Sequence, residues 1–444
     1  MSFLSRIFGL RENETMGVIT LSLIFLSNAI AQKVSEISSI SNFINDVGVS
    51  QILIVWIIDG AILILTTGLQ SLLIDRFDRI TLLKGVSIGL AIAYVLLRLL
   101  VIFGAPSGLT YAIFYLLSQQ QAFFLPLVLW LVASDMFEVA QTQRLFPFIA
   151  NWELVGNLVG IGCAALAPLL FVSLNTRPEE LLMFNILIYL LIVVATSVGL
   201  KRNQLRAVHH KTETMQETLT EGWGFIREVP AFRFLSISLF CVWICDTILE
   251  FHFFRITESA FAESGTYQTF YSLIVLARIL GYMAIQSFLT QRLITGIGLK
   301  NTFVISPVFS LMGTVCMIGL PNLMGAISGI FTHKLPLFSV SETAYKSLQG
   351  LVPEERRGRV SIFMDSYLNS AGSILAAILL GCIVLTSTHL SVQPHTVYLA
   401  IAFLAGLIAL WAALRMRSVY EASLLNWRLK RRRRGKSVLD TLDL

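Results

Sequence analysis

Long apolar stretches recur along almost the whole chain, and they limit what it can fold into more than any other feature. Charged residues make up only 14% of the sequence, and the mean hydropathy is +0.75. Soluble domains carry about 25% charged residues, whereas a helix needs ~20 mainly apolar residues to cross a bilayer. The sequence therefore predicts an all-α polytopic membrane protein.

One long polar segment interrupts this pattern near the middle of the chain, at residues 201–233. Basic residues beside apolar spans mark the cytoplasmic side, so we expect this segment to be a cytoplasmic linker. Leu219, Trp223 and Ile226 recur at helical spacing in its second part, which indicates an amphipathic helix on the membrane surface. A solvated linker with no further role is the alternative.

Six apolar stretches precede the linker and six follow it. Nearly every Lys and Arg outside them falls on one side, so we expect both termini in the cytoplasm. The sequence predicts twelve transmembrane helices in two pseudo-symmetric six-helix bundles, residues 1–200 and 234–415, followed by a basic cytoplasmic tail, residues 416–444. The predicted spans are residues 16–31, 49–74, 80–103, 109–132, 145–171, 181–200, 234–254, 267–289, 302–320, 323–340, 360–385 and 396–414. Residues 32–48 are expected to form a polar outer segment.

Other classes of function lack their signatures. The five cysteines lie inside apolar stretches without a Cys-x-x-Cys pair, which argues against zinc and disulfides. The sequence has no Walker loop, nucleophile elbow or kinase loop, so we expect no enzyme, catalytic residue, metal or cofactor. The net charge of +6 follows from topology, so we expect no nucleic-acid partner.

The loop after the second span carries a recognisable motif, SLLIDRFDR at residues 71–79. It resembles the Gly-x-x-x-Asp-Arg-x-x-Arg signature of the major facilitator superfamily, with Asp75, Arg76 and Arg79 matching. Ser71 and Asp78 stand where that signature has glycines. SLLIDR at 71–76 and SFLTQR at 287–292 occupy equivalent places in the two halves, as parallel repeats would.

The segment PEERRGR, residues 353–359, is similar to the loop between helices 10 and 11 of the same superfamily. The resemblance implies the major facilitator fold, in which such loops latch the two halves together through charge pairs. The expected cytoplasmic gate comprises Asp75, Arg76, Arg79, Arg144, Arg357 and Arg359.

A narrower resemblance lies in residues 130–160, WLVASDMFEVAQTQRLFPFIANWELVGNLVG. This stretch looks like the helix 4–5 region of the ATP/ADP carrier family of plastids and intracellular bacteria, in particular its bacterial relatives. The matching parts are the Trp, the acidic residue at the helix end, the Arg-Leu-Phe-Pro run and the spaced glycines. Gln143, Trp152 and Glu153 depart from the carriers. The resemblance implies exchange of a nucleotide-like solute.

Charges inside apolar spans are expensive and therefore informative. Arg278 lies near the middle of the eighth span, on a face shared with Tyr271 and Tyr282, which suits an anionic solute that is partly aromatic. Lys334 in the tenth span is a second anion-binding candidate, whereas its neighbour His333 is expected to be a paired interior histidine. The further predicted solute contacts are Gln119, Glu153 and Asn157.

Three more carboxylates lie within apolar spans: Asp59, Asp246 and Glu250. Each could carry a coupling proton, because burial favours the neutral acid. Each could instead pair with Arg278 or Lys334, and the sequence leaves these pairings open.

These observations favour a secondary transporter for a small anionic solute, nucleotide-like or phosphorylated, that works by alternating access as an antiporter. A proton-coupled exporter of an amphipathic or cationic solute and a non-transporting scaffold or lipid-handling protein are the alternatives. We expect a monomer in the bacterial inner membrane whose basic tail binds anionic lipids or simply holds the C-terminus inside.

Overall fold

The computed structural model describes residues 12–76, 78–137, 139–174, 180–200, 215–261, 263–349, 352, 354–386 and 393–439. Helices and their connecting turns account for the described residues. Twelve of the helices are long and apolar enough to cross a membrane. The chain is therefore an integral, multi-pass membrane protein, as its sequence predicts.

The first half contains six long helices. Their apolar residues extend around most of each helix, as expected where lipid or protein surrounds every face. They are α1 (Glu12–Val47), α2 (Val49–Arg76), α3 (Arg79–Ile102), α4 (Ser107–Met136), α5 (Val139–Leu174) and α6 (Leu181–Gly199).

The second half begins with the short helix α7 and continues with helices that are interrupted by π-helical turns. The elements are α7 (Met215–Glu228), α8 (Pro230–Ala260), α9 (Ser264–Ile285), π1 (Gln286–Thr290), α10 (Gln291–Ile297), α11 (Leu299–Thr302), α12 (Ile305–Gly319), α13 (Leu323–Pro336), π2 (Leu337–Ser341), α14 (Glu342–Gln349), α15 (Glu354–Ile362), π3 (Phe363–Tyr367), α16 (Leu368–Thr386) and α17 (Pro394–Leu439).

The first helix is longer than its sequence suggests. Residues 32–48 were expected to be a polar outer segment, but α1 continues to Val47. The polar side chains of this stretch bond within the helix: Ser35 Oγ donates to Ala31 O at 2.7 Å, and Asn42 Nδ2 donates to Ser38 O at 2.7 Å. Partners one turn away make these two side chains compatible with a continuous helix, whereas the buried Ser41 Oγ has no hydrogen-bond partner among the described residues.

The helices form two compact units. The first comprises residues 1–55, 68–213 and 261–277, and the second comprises residues 56–67, 214–260 and 278–444. The domain limits expected at residues 200 and 234 remain predictions.

In the first unit, α5 lies close against α1. A Cβ atom added at Gly156 would lie 2.5 Å from Leu26 O, and one at Gly160 would lie 2.9 Å from Ile30 O. Glycine at these two positions therefore allows the two backbones to touch, as small residues do in membrane helix pairs.

In the second unit, α12 and α13 make a similar close approach. A Cβ atom at Gly313 would lie 2.7 Å from Gly329 O. One turn beyond Gly329, this approach places His333 against Ser310 of α12, with 3.0 Å between His333 Nδ1 and Ser310 Oγ. The contact fixes the depth and rotation of α13, which carries Lys334.

Helix α7 occupies the second part of the polar central segment. Phe225 and Ile226 are buried in a cluster with residues of the second unit, whereas Trp223 is 60% exposed. Gly222 lies against Phe363, since a Cβ atom there would lie 2.7 Å from Phe363 Cβ. Trp223 also lies beside Phe363, with ring centroids 6.4 Å apart. Trp223 and Ile226 of the expected apolar face therefore both contact other residues of the second unit. The side chain of Leu219 lies outside the described part, and the place of α7 on a membrane surface remains a prediction.

Candidate functional site

Charged side chains from three helices of the second unit meet near the middle of their spans. Asp246 and Glu250 lie one turn apart on α8, so both point to the same side of that helix. Arg278 comes from α9, and His333 and Lys334 come from α13. We call these five residues the ion network.

Lys334 connects the two carboxylates. Its Nζ lies 3.1 Å from Asp246 Oδ1 and 3.0 Å from Glu250 Oε2. An ammonium group has three donors, so one lysine can serve both acids. These contacts answer the pairing question that the sequence left open for Lys334.

Arg278 joins the network through Glu250. The distance between Arg278 Nη1 and Glu250 Oε1 is 3.7 Å, longer than either carboxylate contact of Lys334. Glu250 therefore lies between two cations, and its contact with the guanidinium is the looser one. Weakly held ion pairs exchange partners more readily than short, hydrogen-bonded ones.

His333 lies at the buried end of the network. It is fully buried, with Nε2 at 3.0 Å from Asp246 Oδ1 and Nδ1 at 3.0 Å from Ser310 Oγ. Both ring nitrogens thus have partners, which confirms the expectation of a paired interior histidine. Ser310 was not singled out from the sequence, because a lone serine in an apolar span carries no signal.

The charges of the network balance. Two carboxylates, Asp246 and Glu250, face two cations, Arg278 and Lys334. Burial of isolated ions costs several kcal/mol each, so mutual pairing is what makes these positions tolerable. The Glu250 side chain is 22% exposed, whereas those of Asp246, Arg278 and Lys334 are 8–9% exposed. Glu250 is therefore the most accessible member.

Aromatic rings line one side of the network. Lys334 Nζ lies 5.7 Å from the centroid of the Phe338 ring, within range of a cation–π contact. Phe338 in turn packs against Tyr282 and Trp243, with centroids 5.6 Å and 6.1 Å away. Tyr282, a predicted solute contact, therefore lies beside the network, and Trp243 and Phe338 are additions from the structure.

The other predicted solute contacts belong to the first unit. Tyr271 is buried and stacks on Tyr267, with centroids 6.3 Å apart. Gln119, Glu153 and Asn157 are partly buried. Solute contact by these four residues remains a prediction.

A buried hydrogen-bond network in the first unit was not foreseen. Asn185 Oδ1 accepts from Gln121 Nε2 at 3.1 Å and from Ser35 Oγ at 3.0 Å. Tyr189 donates to Asn28 Oδ1 at 3.0 Å. Asparagine and glutamine residues within apolar spans were the available signal in the sequence. The residue predicted to be functional was Gln119, whereas the hydrogen bond to Asn185 comes from Gln121.

Asp59 on α2 has a different environment from the carboxylates of the network. Its Oδ1 is buried and has no hydrogen-bond partner among the described residues. An acid in this setting is a reasonable candidate for carrying a proton.

Two residues of the expected cytoplasmic gate form ion pairs within the first unit. Arg79 Nε lies 3.1 Å from Asp135 Oδ2, with both residues buried, and Arg144 Nη2 lies 2.7 Å from Glu14 Oε2. Arg359 is half-buried on α15. The side chains of Asp75, Arg76 and Arg357 lie outside the described part, so the gate as a whole stays a prediction.

No protein-family model and no curated protein matches the sequence. Solved structures do match. A mutant of the nucleoside transporter NupG aligns at a TM-score of 0.65 and 15% identity, covering 90% of this chain and 99% of that one. A bacterial homologue of the iron transporter ferroportin, in an inward-facing state, aligns at 0.59 and 15%, covering 92% and 100%.

This chain has the major facilitator fold. A bacterial homologue of the human lysosomal transporter Spinster also aligns, at a TM-score of 0.55 and 11% identity, covering 94% of this chain and 98% of that one. Sequence identities this low establish the fold but not the substrate or the coupling of transport. They do not bear out the narrower resemblance to ATP/ADP carriers.

Across the described residues, no group of three or more His, Cys, Asp or Glu side chains is arranged to hold a metal ion. The acidic groups of the ion network are instead engaged with Lys334, Arg278 and His333. Chemically, the ion network is a group of ion pairs in which one charged partner can be exchanged for another.

Proposed function

We propose that this protein is a secondary active transporter for a small anionic solute, and that it works by alternating access. The observation that carries the proposal is the position of Glu250 between Arg278 and Lys334. Both cations are held in place by an acid that is itself the most accessible member of the network. An incoming phosphate or carboxylate can replace that acid without leaving any cation unpaired.

Exchange of Glu250 for the solute would follow simple electrostatics. The Arg278 guanidinium presents a planar fork that matches two oxygens of a phosphate or carboxylate, and Lys334 supplies a compact second charge. Asp246 would keep Lys334 oriented through its 3.1 Å contact, while His333 Nε2 contacts the same oxygen of Asp246 at 3.0 Å. The aromatic rings of Tyr282 and Phe338 would pack against an unsaturated part of the solute.

Displacement of Glu250 also offers a means of coupling. An anion that binds in place of Glu250 adds one negative charge, and a proton taken up with that anion would restore the charge balance around Glu250. The groups that face it are Arg278 and Lys334, with Asp246 and His333 behind them. Solute binding and proton uptake would then occur together, which is how a gradient drives a secondary transporter.

The proposed solute is nucleotide-like or phosphorylated, in keeping with the resemblance of residues 130–160 to ATP/ADP carriers. The proposed location is a bacterial inner membrane with both termini in the cytoplasm, from the distribution of Lys and Arg. A proton-coupled exporter of cationic solutes is the second candidate, and the unpaired Oδ1 of Asp59 favours it.

The test is uptake into proteoliposomes after a thermal-shift screen of nucleotides, sugar phosphates, organic anions and amphipathic amines. Arg278→Ala should abolish uptake of the anion that stabilises the parent protein. Arg98→Ala is the matched control, because Arg98 forms its ion pair with Glu180 in the first unit at 2.6 Å. Unchanged anion uptake in Arg278→Ala would reject the proposal.

A further inference from the structure

A cavity of about 240 Å³ lies within the second unit, next to the ion network. Its walls come from α8, π2, α14, π3 and α16, and they combine three aromatic rings with five polar or charged side chains. The rings are those of Trp243, Phe338 and Tyr345, and the polar side chains are those of Ser341, Glu342, Lys346, Asp365 and Asn369. None of Asp246, Glu250, Arg278 and Lys334 lines it.

Two π-helical turns meet at this cavity. Phe338 and Ser341 belong to π2, and Asp365 belongs to π3. A π turn is an irregularity that costs helix stability and is frequently found at functional sites. Because residues of both turns line the same cavity, we infer that the irregular winding of these helices keeps the cavity open.

The polar groups of the cavity are unequally satisfied. Both carboxylate oxygens of Asp365 have partners. Lys346 Nζ lies 2.7 Å from Oδ2, Ser361 Oγ donates to Oδ2 at 3.1 Å, and Gln349 Nε2 donates to Oδ1 at 3.1 Å. Among the described residues, Glu342 has no ion-pair partner. Ser341 is 5% exposed, and its Oγ has no hydrogen-bond partner in the described part of the chain.

The lining therefore carries an excess of one negative charge. Two carboxylates face one ammonium, and the ammonium of Lys346 is already held by Asp365. An unpaired carboxylate, an unused hydroxyl and aromatic faces together form the kind of surface that recognises an organic cation. An anion would meet Glu342 and Asp365 and be repelled.

We propose that this cavity binds a small organic cation, an ammonium group with an apolar or aromatic body. The ammonium would pair with Glu342 and donate to Ser341 Oγ, and the body would lie against Trp243, Phe338 and Tyr345. This site is separate from the anion exchange proposed at the ion network. The two sites share one wall, because Phe338 lies against both Lys334 and Trp243.

The experiment uses the full chain in nanodiscs and isothermal titration calorimetry with three probes of similar shape: phenethylamine, phenethyl alcohol and phenylacetate. The parent protein should bind the amine at least about tenfold more tightly than either other probe, a difference of about 1.4 kcal/mol. Glu342→Gln and Ser341→Ala should each weaken amine binding. Glu421→Gln is the matched control, because Glu421 pairs with Lys300 away from the cavity.

Equal binding of the three probes, or unchanged amine affinity in Glu342→Gln, would overturn the proposal. Anion uptake measured in the same variants separates it from the proposed function. Glu342→Gln that loses the amine yet still shows Arg278-dependent uptake would support both. If the protein binds the amine but transports no anion, the result would support the cation site and reject the proposed anion transport.

Discussion

Lys334 of α13 and Asp246 of α8 are joined by a buried ion pair, with 3.1 Å between Nζ and Oδ1. His333, the residue before Lys334, contacts the same Asp246 oxygen at 3.0 Å. One carboxylate therefore holds two consecutive side chains of a neighbouring helix. This contact links the packing of the second unit to the charges proposed to bind solute.

Removal of one partner from this pair should be more harmful than removal of both. Lys334→Met leaves Asp246 and Glu250 short of a cation, and loss of a single partner from a buried pair costs about 3–5 kcal/mol. Asp246→Asn combined with Lys334→Met should recover about 1–3 kcal/mol of that loss. The check is a double-mutant cycle on thermal unfolding in detergent. Additive losses would mean that the pair is not energetically coupled.

Glu250→Gln should tighten anion binding. The amide keeps the size of the side chain but no longer competes as a charge for Arg278 and Lys334. Affinity is measured by titration calorimetry from mildly acidic to mildly alkaline pH, with net uptake measured in parallel. Glu36→Gln serves as the control, because Glu36 pairs with Lys33 in the first unit at 2.7 Å. Unchanged or weaker anion binding in Glu250→Gln would contradict the displacement of Glu250 by the solute.

Gly313→Ala should destabilise the second unit, although alanine is the better helix former. The new methyl group would lie 2.7 Å from Gly329 O, so α12 and α13 must separate, at a cost of about 1–3 kcal/mol. Gly381→Ala on α16 is matched, because a Cβ atom there meets nothing within 4 Å. That control should be neutral or raise the melting temperature slightly. Equal melting temperatures for the two variants would contradict the close approach.

Asn185→Leu should lower the stability of the first unit by about 1–3 kcal/mol, because Gln121 Nε2 loses the buried acceptor that it donates to. Ser197→Ala on the same helix is the control, since that exposed hydroxyl bonds only to Val193 O of its own helix. Thermal unfolding of both variants provides the comparison. A loss of stability in Asn185→Leu no larger than that in Ser197→Ala would show that water accepts the hydrogen bond from Gln121 in place of the asparagine side chain.

The sequence was sufficient for the helices because hydrophobic length is a local property. It failed at residues 32–48, where polar residues indicated an outer segment, yet α1 continues through them and Ser35 and Asn42 bond to carbonyls of its own preceding turn. In α7 the helical spacing of Trp223 and Ile226 indicated an apolar face, but Gly222 and Phe225 beside that face also pack against the second unit. Local patterns do not include the partner helix, so they cannot decide which face it covers.

The same reasoning explains what could be foreseen at the candidate site. Arg278, Lys334, Asp246 and Glu250 attract attention in the sequence because charges are rare in apolar spans. Their pairing depends on the depth and rotation of α8, α9 and α13, which close approaches such as Gly313 against Gly329 help to set. Ser310 and Phe338 carry no such signal, since each is an ordinary residue until a neighbour is known.

The π turns π2 and π3 have a consequence for how the chain tolerates insertions and deletions. Each π turn accommodates one residue more than a regular helical turn, so the side chains beyond it are rotated by about 100° relative to an unbroken helix. Loss of a single residue between Leu337 and Ser341 would restore the regular winding and leave Glu342 on the side of the helix that it now occupies. A one-residue deletion within a π turn should therefore be tolerated better than one in a regular helix, where every side chain beyond it would rotate by about 100°.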